Sequence, residues 1–204
     1  MPQHIVSLTG RLLGALLYYA PDDEQNARLI ERLRQSAWQR TWPCGKRDEI
    51  VMAARQIQLG LQPGYDERVS LAWRRFLRGD EGIPAPPWGS VYLDRHNVLF
   101  GDSTLALRRW LRDLGIEPRC DRHEPEDHIG LMLMLAAWCA ENQPDSLPEL
   151  LSEHLLPWAM RYLDLLEYHC RHPFYQGVAR LTRITLRDWQ MRFQLIQKEK
   201  ALFY

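Results

Sequence analysis

Five side chains that can bind protons or metals crowd one hexapeptide, HEPEDH at residues 123–128: His123, Glu124, Glu126, Asp127 and His128. A metal site needs ligands that converge on one point, and helical zinc motifs achieve this with two histidines four residues apart, as in HExxH. His123 and His128 are five apart with Pro125 between them, so they do not share a helical face. A hydrolytic centre needs a nucleophile as well. The chain has no GxSxG and no Walker A loop; WGS at 88–90 and FGDS at 100–103 are short Gly/Ser turns of a common kind. A third chemistry is recognition. A carboxylate accepts two parallel hydrogen bonds from a guanidinium, so acids beside an apolar surface suit a partner that brings arginines next to an apolar segment. A plainer role competes with all three. The run continues as IGLMLMLAAW, which predicts a helix from Pro125 to about Glu141. Proline and acids favour a helix's first turn, which would account for Pro125, Glu126 and Asp127, with Glu124 as a weak cap.

Composition narrows the field. The 204 residues are 46% hydrophobic and 25% charged, a chain able to bury a sizeable core without a disulfide or metal staple. The 26 basic and 26 acidic residues cancel, which argues against nucleic acid as a partner. Cys44, Cys120, Cys139 and Cys170 lie too far apart for a CxxC pair and read as reduced thiols. The apolar run from Leu12 to Ala20 lacks the basic start and small-residue cleavage site of a secretory signal. No stretch reaches the ~20 apolar residues of a membrane span. The expected location is cytoplasmic.

The elements that must position the hexapeptide read as helices, because apolar residues recur every three or four positions. Helices are predicted over Ser7–Ala20, then from a cap at Asp22 or Asp23 with Ala27, Ile30, Leu33 and Trp38 as its apolar stripe. Further helices follow at Asp48–Leu59 and Tyr65–Arg78, the last with Val69, Ala72, Trp73, Phe76 and Leu77 on its apolar side. GDEGIPAPPWGSVYLD, Gly79–Asp94, is a Pro/Gly-rich loop carrying Ile83, Trp88, Val91 and Tyr92. A helix over Thr104–Leu114, capped by Asp102 or Ser103 and closed by Gly115, leads into a polar linker. After the hexapeptide helix come a turn at Asn142–Asp145, a helix over Ser146–Cys170 that starts or kinks at Pro157, and a last helix from Pro173 to Lys200. The fold class is all-α: a helical bundle in one domain, residues 1–204, with a point of subdivision near residues 118–123.

Specific residues carry a family resemblance. EPEDH at Glu124–His128 matches the E-P-x-D-H motif of the TorD/DmsD/NarJ-like redox enzyme maturation chaperones. PPWGSVYLDRHNVLFGDSTLALRRWLRDLGI at Pro86–Ile116 resembles the DmsD branch, the Tat proofreading chaperones of dimethyl-sulfoxide-reductase-type enzymes. RLLGALLYYAP at Arg11–Pro21 and HPFYQGVARLT at His172–Thr182 fit the same branch, so the resemblance spans essentially the whole chain. It implies an all-helical chaperone with no catalytic activity and no cofactor. Such a protein binds the twin-arginine signal peptide of a molybdopterin-containing reductase subunit and holds the precursor until it is folded, then releases it to the Tat translocase. Carried over residue by residue, peptide binding falls to Trp73, Phe76 and Leu77, to Pro87, Trp88 and Ser90 of the loop, and to Asp127 and His128. Glu124 and Glu126 are added here on physical grounds as partners for the arginines. The expected groove has the signal's apolar region lying on Trp73, Leu77 and Trp88. The branch pattern carries a tryptophan where this chain has Glu81, and Phe76–Leu77 stands in reversed order. The loop is therefore less aromatic and more acidic, which leaves the particular reductase open. The linker leaves open both a monomer and a dimer that exchanges its C-terminal half. A small metal- or nucleotide-dependent hydrolase using His123, Glu126 and His128 is the alternative.

Overall fold

The computed structural model describes residues 2–35, 37–78, 82–96, 98–117, 124–196 and 198–204. Glu81, Cys120, His123 and the linker at 118–123 fall outside these residues. The described residues form ten α-helical segments and, beyond one isolated bridge, no strand pairing.

Helix α1 (Pro2–Tyr18) begins at Pro2 rather than Ser7 and stops ahead of Pro21. Its final carbonyls lack helical partners. Asn26 adds donors at this end: its Nδ2 lies 3.0, 2.7 and 3.3 Å from the carbonyls of Ala15, Tyr19 and Ala20. With Ile30 and Leu33, Asn26 rather than the predicted Ala27 is therefore buried on α2 (Glu24–Arg34), and Asp23 caps α2 through the N–H of Gln25. Trp38 lies past the end of α2, in a short 3₁₀ turn. Helix α3 (Arg47–Leu59) follows the predicted span. Helix α4 (Val69–Trp73) continues as a π-helical turn over Arg74–Arg78.

The Pro-rich segment is not all loop. Gly89–Leu93 forms α5, because its prolines all precede Trp88 and leave these five residues their N–H donors. Helix α6 (Asp102–Asp113) is capped from outside: the Asp94 carboxylate accepts the Ser103 N–H at 3.2 Å and its hydroxyl at 2.8 Å, displacing the predicted Asp102 or Ser103 cap. Helix α7 covers Ile129–Asn142 and starts later than Pro125. Leu147–Glu149 (α8) passes through a π turn, Leu150–Leu155, into α9 (Leu156–His169). The wide turn absorbs the donor that Pro157 cannot provide. Helix α10 (Pro173–Arg192) ends short of Lys200. The following chain returns across the Pro-rich segment, where the Phe203 N–H donates to the Tyr92 carbonyl at 2.9 Å.

Helices from either side of residues 118–123 pack together: α1 lies along α7, and α3 along α10, which also meets α9. The α1–α7 contact depends on glycine. A Cβ on Gly14 would stand 2.7 Å from the Gly130 carbonyl oxygen, and one on Gly130 would stand 2.8 Å from that of Gly14. This backbone-to-backbone approach holds the start of α7 in place.

Candidate functional site

The Pro-rich segment and the hexapeptide are joined to each other. Trp88 and His128 form an antiparallel bridge. Ile129 N–H donates to the Pro87 carbonyl at 2.8 Å, and Gly89 N–H to the Asp127 carbonyl at 3.1 Å. The Asp127 carboxylate adds side-chain bonds: Oδ2 accepts the Ser90 N–H at 2.5 Å and the Thr104 hydroxyl at 3.1 Å. One acid thereby ties the starts of α5, α6 and α7. Asp127 is 4% exposed, and burial pushes its carboxyl above the ordinary value against the pull of these hydrogen bonds.

His128 caps α7. Its Nδ1 accepts the Gly130 N–H at 3.1 Å, and its Nε2 faces the Leu77 carbonyl at 3.4 Å. In the neutral ring an accepting Nδ1 places the proton on Nε2, where it points at that carbonyl. His128 thus links the π turn after α4 to the start of α7, and its ring meets Tyr18 and Trp88 edge-on. Around it, Trp88 Nε1 donates to Glu124 Oε1 at 2.6 Å, and Arg108 Nε donates to Glu126 Oε2 at 2.8 Å.

The predicted site residues therefore fall into two groups. Trp73, Phe76, Leu77, Pro87, Trp88, Ser90, Asp127 and His128 are buried. Trp73, Leu77 and Trp88, the expected floor for an apolar peptide, are only 4%, 3% and 8% exposed. Glu124 and Glu126 are half-buried. The buried eight build a frame, and the two glutamates edge it. The helix-start reading of EPED is corrected as well. Pro125, Glu126 and Asp127 precede α7, because Asp127 commits its carbonyl and carboxylate to the Pro-rich segment and leaves capping to His128.

Two concavities adjoin the frame. One, about 30 Å³, lies beside Asp127, Gly89 and Trp158 and is water-sized. The other is an open groove of about 490 Å³ between α1, α6 and α7, lined by Tyr19, Ile116, Leu131, Met134, Leu135 and Trp138, with Glu126, Glu117 and Arg11 at its margins. Of these two, the second has room for a peptide segment. Its α7 residues belong to the helix that the sequence predicts from Pro125 to about Glu141, and none of them is among the residues expected to bind peptide. The signal that marks them is the absence of any charged side chain between Ile129 and Ala140.

Among the described residues the metal reading finds no ligand cluster: no three His, Cys, Asp or Glu side chains are grouped to hold an ion. Cys44, Cys139 and Cys170 are buried thiols; burial, then Asp188, pushes Cys44 up to about 12, and burial pushes Cys170 up to about 11.

Comparison with known proteins gives consistent matches. Residues 49–164 match the family model described as nitrate reductase delta subunit. The chain is 43% identical over 198 residues to the Tat proofreading chaperone DmsD of Salmonella typhi, covering 97% of this chain and 95% of that protein. It is 31% identical over 182 residues to the chaperone protein YcdY of Escherichia coli, covering 87% and 89% of the two chains. Among solved structures, a protein of Archaeoglobus fulgidus assigned to redox enzyme maturation superposes with a TM-score of 0.53 over 90% of this chain and 93% of its own, at 16% identity. That likeness establishes the shared fold.

Proposed function

We infer the function from one premise: this chain belongs to the TorD/DmsD family of redox enzyme maturation chaperones. It is a system-specific chaperone for a molybdoenzyme and not an enzyme. Its ligand is the twin-arginine signal peptide of a dimethyl-sulfoxide-reductase-type subunit, held before export. The observation that carries this reading is the nearly full-length likeness to curated Tat proofreading chaperones, DmsD. The geometry supports it, because an apolar groove with Glu117 and the Arg108-paired Glu126 at its margin lies beside the frame. Burying a few apolar side chains of the peptide contributes ~1.5–3 kcal/mol each before ordering costs, which suits a complex that can still be released.

In this reading the chain works as one unit in the cytoplasm, since helices from both halves interpack, and it hands its precursor on to the Tat translocase. No helix of the described residues is long and apolar enough to cross a membrane. Trp73, Phe76, Leu77, Pro87, Trp88, Ser90, Asp127 and His128 serve the peptide by fixing the frame, and Glu124 and Glu126 by offering carboxylates at its edge. The hydrolase alternative has no support in the geometry. His128 is 1% exposed with both ring nitrogens turned to backbone groups, and Glu126 is engaged by Arg108.

Calorimetric titration with a twin-arginine signal peptide from a dimethyl-sulfoxide-reductase-type precursor tests the function. Saturable one-to-one binding at micromolar affinity or better is expected. No binding to any of several such peptides would overturn it. Equal binding of precursor with the signal removed would instead mark an adaptor for the mature domain.

A further inference from the structure

The chain beyond α10 does not continue as helix. Arg192 closes α10, and Gln194, at φ +50°, takes the left-handed conformation that ends a helix. Residues 198–204, KEKALFY, form no regular element and lie as a strap across the Pro-rich segment and the start of α9. The polar contacts of this strap are mostly of one kind. The Phe203 N–H donates to the Tyr92 carbonyl at 2.9 Å, and the Tyr204 hydroxyl to the Ile83 carbonyl at 3.1 Å. The Lys200 ammonium donates to the Glu153 carbonyl at 2.7 Å, and Lys198 pairs with the Glu153 carboxylate. In all four the strap is the donor and the body of the protein the acceptor. Arg161 reverses the pattern, donating to the Tyr204 main-chain oxygen at 3.1 Å.

The strap is lightly held. Leu202, Phe203 and Tyr204 stay 42%, 41% and 40% exposed, so their apolar surface is only partly removed from water. Lys198 is 67% exposed, and an ion pair so open to solvent is weak. A segment with little buried apolar area and exposed hydrogen bonds opens at low cost. What it uncovers is uniform in character. The carbonyls of Ile83, Tyr92 and Glu153 and the Glu153 carboxylate all lose the donors that the strap supplies. The Tyr92 carbonyl stands near the end of the five-residue α5, where helical partners run out. A strip of acceptors suits a donor-rich segment, because charge-assisted bonds to a carboxylate are the strong ones. The Tyr92 ring, which meets Tyr204 edge-on at 5.6 Å, offers an aromatic contact beside it.

We propose that residues 198–204 are a releasable strap, the resident occupant of an acceptor-lined strip that receives an extended segment of a partner protein. The segment that fits carries two cationic side chains one residue apart, followed by apolar and aromatic residues, because that is the chemistry the strip already holds. The strap keeps the strip covered until such a segment displaces it. Ile83, Tyr92, Glu153 and Arg161 line no part of the groove on α7, so the inference is independent of where a signal peptide binds.

The test uses the full chain, isotopically labelled, with Lys198→Glu, Lys200→Glu and Phe203→Pro, which remove three of the strap's four donors. The probe is an unlabelled peptide of residues 198–204. In the folded triple variant the strap amides should sharpen. The peptide should then shift the amides of Ile83, Tyr92, Glu153 and Arg161 saturably, with a Kd of about 1 mM or tighter. The unsubstituted chain should bind it at least about tenfold more weakly, because apparent affinity scales with the fraction of strip uncovered. A peptide with glutamate in place of both lysines should not bind. Strap amides that stay rigid in the triple variant would overturn the proposal, since the named contacts would not be what holds the strap. Absent shifts at these residues, equal affinity in both proteins, or undiminished binding of the glutamate peptide would each overturn it too. A concentration-dependent dimer of the unsubstituted chain, abolished by the triple substitution, would assign the strip to the strap of a second copy and overturn a foreign partner.

Discussion

His128 and His172 perform the same structural task at the starts of two different helices. Each accepts a backbone N–H two residues on through Nδ1, from Gly130 at 3.1 Å and from Phe174 at 3.3 Å. Each turns Nε2 to a carbonyl far back in the chain, Leu77 for His128 and Tyr65 for His172, the latter at 2.8 Å. An imidazole reaches further than serine or aspartate, so one side chain caps a helix and fastens it to a neighbouring segment. At His128 the fastened segment is the π turn at Arg74–Arg78, just ahead of the Pro-rich segment.

The device responds to acid. Protonating Nδ1 removes the acceptor that caps α10, and burial already holds His172 below its ordinary value. Burial, then Lys200, lowers His154 to about 4. The unfolded chain takes up these protons near pH 6.5 and the folded chain only at lower pH. Their contribution to stability is therefore complete above about pH 6.5 and declines as pH falls toward 4. Urea titrations across this range should show the decline, and His154→Gln should flatten it. An equally steep profile in that variant would assign the effect elsewhere. Separately, His172→Ala should cost about 1–2 kcal/mol at neutral pH, with His172→Asn recovering part of the loss.

Asp127 is held by two donors in a buried setting. Asp127→Ala leaves the Ser90 N–H without a partner and should cost about 1–3 kcal/mol. Asp127→Asn keeps an acceptor oxygen and should cost less. Chemical denaturation measures both, and equal losses would show that the charge, not the acceptor, is what matters.

Trp88 separates frame from surface. At 8% exposure, Trp88→Ala should cost about 3–5 kcal/mol of stability, so a loss of peptide binding in that variant would be uninformative. Trp88→Phe keeps most of the packing and loses only the bond to Glu124. Its affinity for the signal peptide should stay within about threefold of the parent. A loss exceeding ~1 kcal/mol in a folded protein would make Trp88 an anchor instead.

The α1–α7 seam should be intolerant of methyl groups. Gly130→Ala drives a Cβ against the carbonyl of Gly14 and should cost about 1–3 kcal/mol, read as a lower melting temperature. An unchanged melting temperature would mean that the two helices can separate without penalty.

Much of the fold could be read from periodicity, since three- and four-residue spacing of apolar side chains predicts helices wherever they bury one face. Helix α3 and the start of α10 at Pro173 fall where that reading puts them. The family could be read from EPEDH and the PPWGS…FGDST run. Capping was less legible, because three helices take their caps or closures from elsewhere in the chain: α1 from Asn26, α6 from Asp94, and α5 from Asp127. Local spacing cannot reveal a partner brought in by tertiary contact.

The sequence alone determined which residues are apolar, where prolines forbid helix, and that carboxylates adjoin an uncharged run. Only the tertiary structure decided which of these residues face the solvent. Trp88 and Trp138 are both large aromatics beside acidic residues, yet one is sealed beneath Glu124 and the other lines an open groove. That difference is set by which neighbours cover each face, and coverage depends on contacts between segments that are remote along the chain.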